Sequence, residues 1–229
     1  TNNDSAYETA IEFKKNGIDP IILDTREEQD TDLINDAKSQ GIEIKFSHAV
    51  AVANGYKKVK SAKIGKLNSN KTGFKNIETV ECDCICVSGF WTPTVHLASQ
   101  SGNKLKFNKD IDAFVPDKSK QKETTIGAAN GSFTLKETIE KSFESGDNVA
   151  KKLTEKEVNI QIPSVTEKKH KTHDKFWCSP LPKNENPKRF VDFQNDVSVS
   201  DIELALREGY RSIEHVKRYT TLGMATDQG

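Results

Sequence analysis

Apolar positions near the start of the chain fall at helical spacing. Ala6, Ala10, Ile11 and Phe13 share one face behind the polar opening Thr1-Asn2-Asn3-Asp4-Ser5. Asp4 or Ser5 supplies a helix cap, and Asn16-Gly17 a stop. Residues 18–23 then form a short apolar run ending at Asp24, which predicts a strand. Residues 31–39, closed by Gly41, predict a second helix, and residues 42–46 a second strand. This alternation predicts an α/β fold with a parallel, Rossmann-like sheet. Residues 49–52, 59–67 and 77–80 alternate with period two, and turn-prone Asn54-Gly55 and residues 68–73 separate them. That pattern predicts an antiparallel meander. Residues 82–87 are almost continuously apolar, as a strand buried on both faces would be. Short strands are expected at residues 114–115 and 124–126. After Gly127-Ala128-Ala129-Asn130-Gly131, a helix is expected over residues 134–143, restarting towards Leu153.

Periodicity fades between residues 154 and 189, where Lys and Glu dominate and Pro163, Pro180, Pro182 and Pro187 recur. This stretch reads as an extended linker. Beyond Phe190 the pattern tightens. Ser198 or Ser200 caps a helix over residues 201–208, Gly209 ends it, and Ser212 opens another through Lys217. The expected organisation is a partial Rossmann-like dinucleotide-binding domain over 1–153, a linker over 154–189 and a small helical module over 190–229. Thr1 in first place and the abrupt Asp227-Gln228-Gly229 ending lead us to expect an internal piece of a longer chain.

Composition changes this picture in three ways. Lys+Arg and Asp+Glu are 34 each, for a formal net charge of +0, which argues against the basic surface that nucleic acids or anionic membranes require. Charged residues make up 30% and mean hydropathy is -0.68, so exposed stretches accompany a modest core. Four cysteines, three of them at Cys82, Cys84 and Cys86, do not resemble a secreted disulfide framework, and no apolar run approaches the roughly 18 residues of a membrane span. A cytoplasmic protein is expected.

Candidate chemistry is sparse. Asp24 stands where a dinucleotide-binding unit places the acid that takes the ribose. However, residues 1–10 contain no glycine to let a pyrophosphate approach, so the expected reading is a domain without a cofactor at that end. The segment Gly127-Ala128-Ala129-Asn130-Gly131 is either an anion cradle at a helix N-terminus or a plain tight turn. Cys82, Cys84 and Cys86 share one strand face, lack a downstream Cys-x-x-Cys, and are expected to be small buried hydrophobes. His170 and His173 lie among lysines and read as solvated, while His96 and His215 have no adjacent nucleophile or acid.

Five segments in order resemble one family. They are residues 1–7; Val87-Ser88-Gly89-Phe90-Trp91-Thr92-Pro93-Thr94-Val95-His96-Leu97; Gly127-Ala128-Ala129-Asn130-Gly131; residues 190–197; and residues 215–229. Together they are similar to the alpha subunits of heterotetrameric sarcosine oxidase, over nearly the whole chain. The resemblance implies a complex that oxidises sarcosine to glycine and hydrogen peroxide, passing the one-carbon unit to tetrahydrofolate as 5,10-methylenetetrahydrofolate. It implies FAD in the beta subunit, FMN between alpha and beta, NAD held by alpha, and gamma and delta subunits as further partners. It also implies a fold similar to pyridine nucleotide-disulfide reductases.

By this resemblance Gly127, Ala128, Ala129, Asn130, Phe133 and Leu135 line the NAD site, while Lys217, Arg218, Thr220 and Thr221 face FMN. No catalytic residue is expected, and the piece alone is expected to be inactive. Where related reductases carry a Gly-Asp pair that binds the flavin's sugar chain, this sequence has Gly127-Ala128, which disfavours FAD there. The small module resembles a [2Fe-2S] domain stripped of its cysteines: Asp192, Gln194 and Asp227 stand at the ligand positions, and a cluster needs thiolates. Two other readings stay open, an assembly module that binds no nucleotide and a subunit of a related flavin-dependent amine or opine dehydrogenase. A stand-alone NAD(P)H reductase is weakened by the missing Gly-rich loop and redox cysteine pair.

Overall fold

The computed structural model describes residues 1–89, 91–154, 161–166 and 174–226. The elements run α1 (Ser5–Lys15), β1 (Ile21–Asp24), α2 (Asp32–Ser39), β2 (Glu43–Phe46), β3 (His48–Gly55), β4 (Val59–Leu67) and β5 (Phe74–Glu81). They continue with α3 (His96–Gln100), β6 (Leu105–Asn108), β7 (Ala113–Pro116), a 3-10 helix (Gly127–Asn130), α4 (Leu135–Thr154), β8 (Phe190–Asp192), β9 (Val197–Ser198), α5 (Val199–Arg207) and α6 (Ile213–Thr220). The chain divides into two compact units. One holds Thr1–Ile22, Glu28–Ile44 and Val87–Lys175; the other holds Leu23–Glu27, Lys45–Cys86 and Phe176–Gly229. These units cut the chain differently from the sequence division at 153 and 190, because residues 45–86 and the C-terminal module fall in the same unit.

In the first unit, α1 buries Tyr7, Ala10 and Ile11, and α2 buries Leu33, Ile34 and Ala37. Each set repeats at three and four residues, so each helix turns one stripe inward. Complete burial of Ile34 contributes about 1.5–3 kcal/mol. Thr31 caps α2 by accepting from the Ile34 amide. At α1 the cap differs from expectation in its bonding. Asp4 occupies the cap position but its side chain makes no capping bond to the helix amides, and Asn3 Oδ1 accepts from the Ser5 amide (2.9 Å) and hydroxyl (2.6 Å). Asn3 also donates to the Gly89 carbonyl, Ser5 Oγ meets Ser88 Oγ at 2.7 Å, and Asn2 exchanges two hydrogen bonds with the Asp174 backbone. The polar opening is therefore a buried tie, since Asn2, Asn3 and Asp4 are all buried.

The second unit contains the meander, with β3 antiparallel to β4 and β4 antiparallel to β5. Ala49, Ala51, Ala62, Ile64 and Leu67 are its buried apolar side chains. Gly65 marks an irregularity in the β4–β5 register. A Cβ there would meet the Phe74 ring at 2.8 Å, so glycine lets that ring lie across the strand.

Several expectations need correction. The α/β character holds: β1 and β2 pair with α2 between them in sequence. Among the described residues, however, that pair stands alone, and the other sheets are the three-stranded meander and the two-stranded β6–β7 and β8–β9. Residues 82–87 form no strand. Pairing stops when the Cys82 amide reaches the Lys60 carbonyl (3.2 Å), Cys84 and Cys86 are exposed, and Val87 is 86% exposed. Charged Glu81 and Asp83 interleave with the cysteines, and no neighbouring strand accepts the run. Residues 124–126 are extended at Ile126 but unpaired. The helix expected to restart after Phe143 is continuous through Gly146. Strands β6, β8 and β9 were not anticipated. β6 pairs with β7 through an edge-to-face contact of Phe107 and Phe114, with ring centroids 5.3 Å apart. His170 and His173 lie outside the described residues.

Candidate functional site

Gly127 opens the 3-10 helix at φ 69°, and Gly131 closes it at φ 80°. A Cβ at Gly131 would stand 2.7 Å from Ile111 Cδ1, so the turn requires glycine on both counts. The turn is closed by its own backbone, with the Gly131 amide donating to Ala128 O (3.0 Å) and the Ser132 amide to Gly127 O (3.1 Å). α4 follows directly. Its first turn is capped by Thr134, whose hydroxyl accepts from the Glu137 amide (3.2 Å).

The amphipathic side of α4 then forms the wall of a groove of about 510 Å³. Lys141, Glu144, Ser145, Asn148, Val149 and Lys152 line it from the helix at alternating steps of three and one residues, the stripe that helical geometry produces. Thr124, Thr125, Ile126 and Asn130 form the opposite side. Lys141 Nζ donates to the buried Ser132 hydroxyl at 2.6 Å, which fixes the ammonium beside the turn. Two lysines against one glutamate give the groove a positive balance suited to a phosphate-bearing ligand.

Of the six residues expected at a dinucleotide, only Asn130 lines this groove. Gly127 is buried, with the Thr138 methyl 3.3 Å from where a Cβ would lie; Phe133 and Ala129 are half-buried, and Ala128 and Leu135 are exposed. Sequence reading missed the lysines and Asn148, although their helical spacing marks them. Asp24 is placed where it cannot take a ribose. Its carboxylate is fully buried and held by the Arg26 guanidinium at 2.7–3.2 Å and the Arg26 amide at 2.9 Å. Arg26 two residues on was the signal for this. Nearby, burial lowers the Lys71 pKa, while Asp24 and Glu27 oppose the shift.

At the C-terminal module, two of the residues marked as lost cluster ligands, Asp192 and Gln194, lie in a self-contained turn. Asp192 Oδ1 accepts from the amides of Gln194 (2.9 Å) and Asn195 (3.1 Å), and Oδ2 accepts from the Gly223 amide (3.0 Å). These backbone donors, Asn195 foremost, hold the carboxyl below the usual aspartate range. Thr226 donates to Gln194 Oε1 at 3.2 Å; Asp227 lies outside the described residues. A carboxylate filling this ring of amides and the absence of thiolates at these positions do not fit an iron–sulfur cluster.

Ser198 and Asp201 form a capping box at α5, and the Ser198 hydroxyl and amide lower the Asp201 pKa. On α6, Arg218 joins Tyr210, His215 and Tyr219 around a shallow groove of about 310 Å³, where the two tyrosine rings are 4.7 Å apart. Lys217 is half-buried. Thr220 donates to Val216 O (2.7 Å) and Thr221 to Thr220 O (2.6 Å), so both hydroxyls serve the helix end rather than an outside ligand. His96 is exposed at the start of α3. Among the described residues no group of three His, Cys, Asp or Glu side chains is arranged to hold a metal, and no helix is long and apolar enough to cross a membrane.

The family model of the sarcosine oxidase A3 domain matches residues 186–229. The sarcosine oxidase subunit alpha of Rhizobium meliloti (strain 1021) is 30% identical over 236 aligned residues, covering 100% of this chain and 22% of the relative. The subunit alpha of Corynebacterium sp. (strain P-1) is 28% identical, covering 100% of this chain and 24% of that protein. The chain thus spans about a quarter of the length of the relatives it matches. A solved structure of L-proline dehydrogenase from P. horikoshii aligns over 86% of this chain and 39% of its own at 17% identity, with a TM-score of 0.45.

Proposed function

We propose that this chain, which belongs to the sarcosine oxidase alpha-subunit family, serves an oxidoreductase complex by holding a nucleotide and presenting a subunit face, without a catalytic residue of its own. The complex would oxidise sarcosine to glycine and hydrogen peroxide and yield 5,10-methylenetetrahydrofolate, a step of one-carbon metabolism. Beta, gamma and delta subunits are its partners in this heterotetramer, with FAD and tetrahydrofolate bound elsewhere.

The observation that carries the nucleotide role is the positive groove beside the 3-10 helix. Asn130, Lys141 and Lys152 would hold the diphosphate of NAD, with the surrounding turn from Gly127 through Leu135 shaping the approach, Gly127 and Gly131 letting the backbone bend there. Bound there, NAD is structural and is not asked to exchange a hydride with any group of this chain. For the FMN side, Arg218 and the half-buried Lys217 offer charge for a phosphate, whereas Thr220 and Thr221 would shape the helix end.

A second reading, an assembly module that binds no nucleotide, is favoured by one observation: Thr134 already satisfies an amide at the α4 N-terminus, where an anion would otherwise sit. The two readings separate on the complete subunit. Acid release of nucleotide, followed by chromatography, is expected to yield NAD from the wild type and much less from Ala128→Asp, whose carboxylate repels the diphosphate. No nucleotide in the wild type selects the assembly reading. Wild-type occupancy in Ala128→Asp removes the turn from the site.

A further inference from the structure

Cys84 and Cys86 were expected in a buried strand, but they sit in an exposed segment with Sγ atoms 3.8 Å apart. A disulfide is about 2.05 Å long, so closure from 3.8 Å asks the two sulfurs to approach by about 1.8 Å. Nothing in the fold resists it. Residues 82–89 belong to no helix or strand, and the last bond to the meander is made two residues before Cys84, from the Cys82 amide. All four cysteines are free thiols, and the other two are differently placed. Cys82 is half-buried, and Cys178 is held by the Arg189 guanidinium at 3.2 Å.

We propose that Cys84 and Cys86 form a reversible redox pair that a hydroperoxide converts to a disulfide. The Cys84 thiolate attacks the peroxide oxygen, the O–O bond breaks, and the departing oxygen leaves as water or an alcohol carrying the proton lost by the thiol. Cys84 is then a sulfenic acid. The Cys86 sulfur attacks the Cys84 sulfur, the S–OH bond breaks, and a water departs with the Cys86 proton. Two thiols lose two electrons and the peroxide gains them. The order follows from surroundings: what desolvation there is and the contact with Cys84 push the Cys86 thiol up, which makes Cys84 the readier first nucleophile of the pair. A ring closed by alternate residues is tight, which favours easy reduction by an external thiol. The crosslink would stiffen the chain where it leaves one compact unit at Cys86 and enters the other at Val87.

The test uses the complete subunit, reduced, desalted and treated with hydrogen peroxide. Accessible thiols in denaturant are expected to fall by two, with a mass loss of two hydrogens, and dithiothreitol is expected to reverse both. Cys82→Ser and Cys178→Ser keep this behaviour. Cys84→Ser abolishes the mass loss and slows thiol oxidation by at least roughly tenfold. Cys86→Ser leaves a sulfenic acid at Cys84 that dimedone captures. Oxidation that adds oxygen without removing hydrogens would overturn the proposal. So would a disulfide that persists in Cys84→Ser, or loss of Cys82 and Cys178 thiols at the same rate.

Discussion

Asp192 commits both carboxylate oxygens to three backbone amides, and around it Val197, Ala205 and Val216 are buried. α4, by contrast, runs for 20 residues with none of them fully buried, and its lysines border an open groove. Both regions are short on core, yet one satisfies its polar groups internally while the other leaves them turned outward. A module whose anion hole is filled by its own carboxylate has no vacancy for a cofactor at that point. A helix whose cations and amide side chains line a groove still has the capacity to bind. The difference separates a part whose polar groups are spent internally from a part whose polar groups stay open to a ligand, the role proposed for it above.

The largest effect should come from removing the self-contained region. Deleting residues 190–229 from the complete subunit is expected to weaken FMN retention in the purified complex severely while NAD stays with alpha. A truncated complex with full FMN and unchanged subunit composition would leave this module without the assigned role. A smaller and sharper contrast is in packing. Val216→Ala should cost about 1–3 kcal/mol by removing buried methyls. Leu153→Ala, at a position 79% exposed, should stay within about 0.5 kcal/mol. Chemical unfolding of both variants checks the pair, and equal losses would erase the comparison.

How much of this was legible in the sequence follows the range of the forces. Local signals were read correctly: the 3.6-residue spacing of α1 and α2, the glycine after each, the period-two meander, the cap at Ser198 and the start of a helix after Ser212. What failed needed a partner far away in sequence. Residues 82–87 are apolar enough for a strand, but no neighbour pairs with them, so the cysteines face water. Asp4 holds the cap position of α1 as expected, but it is Asn3 that bonds the Ser5 amide, because the opening is also tied to Ser88, Gly89 and Asp174. At the candidate site the glycine turn was visible as a motif. The groove was not, because it is made by α4 side chains that become neighbours only when the helix runs unbroken through Gly146.

A third prediction concerns acid. The Asp192 carboxyl has its pKa lowered in the folded state by the Asn195 and Gly223 amides. A carboxyl lowered on folding adds stability above its unfolded pKa, and that contribution disappears as pH falls through the lowered folded value. The module should therefore lose stability below the ordinary aspartate range. Asp192→Asn should be less stable at neutral pH and show a shallower fall there, read by thermal unfolding between neutral pH and strong acid. An identical acid profile would mean that the three amides do not favour the charged form. The smallest effect belongs to the cap: Thr134→Ala should cost about 1 kcal/mol of α4 stability, seen as faster amide exchange at Glu137.

The most direct test of the ligand-holding assignment is a cofactor count on the intact complex carrying Lys141→Ala and Lys152→Ala together. Both side chains line the groove and neither belongs to a buried core. The account predicts that NAD falls by roughly tenfold or more relative to wild type as two attractive charges are lost, while FMN and subunit composition are retained. NAD at wild-type occupancy in that variant would contradict it.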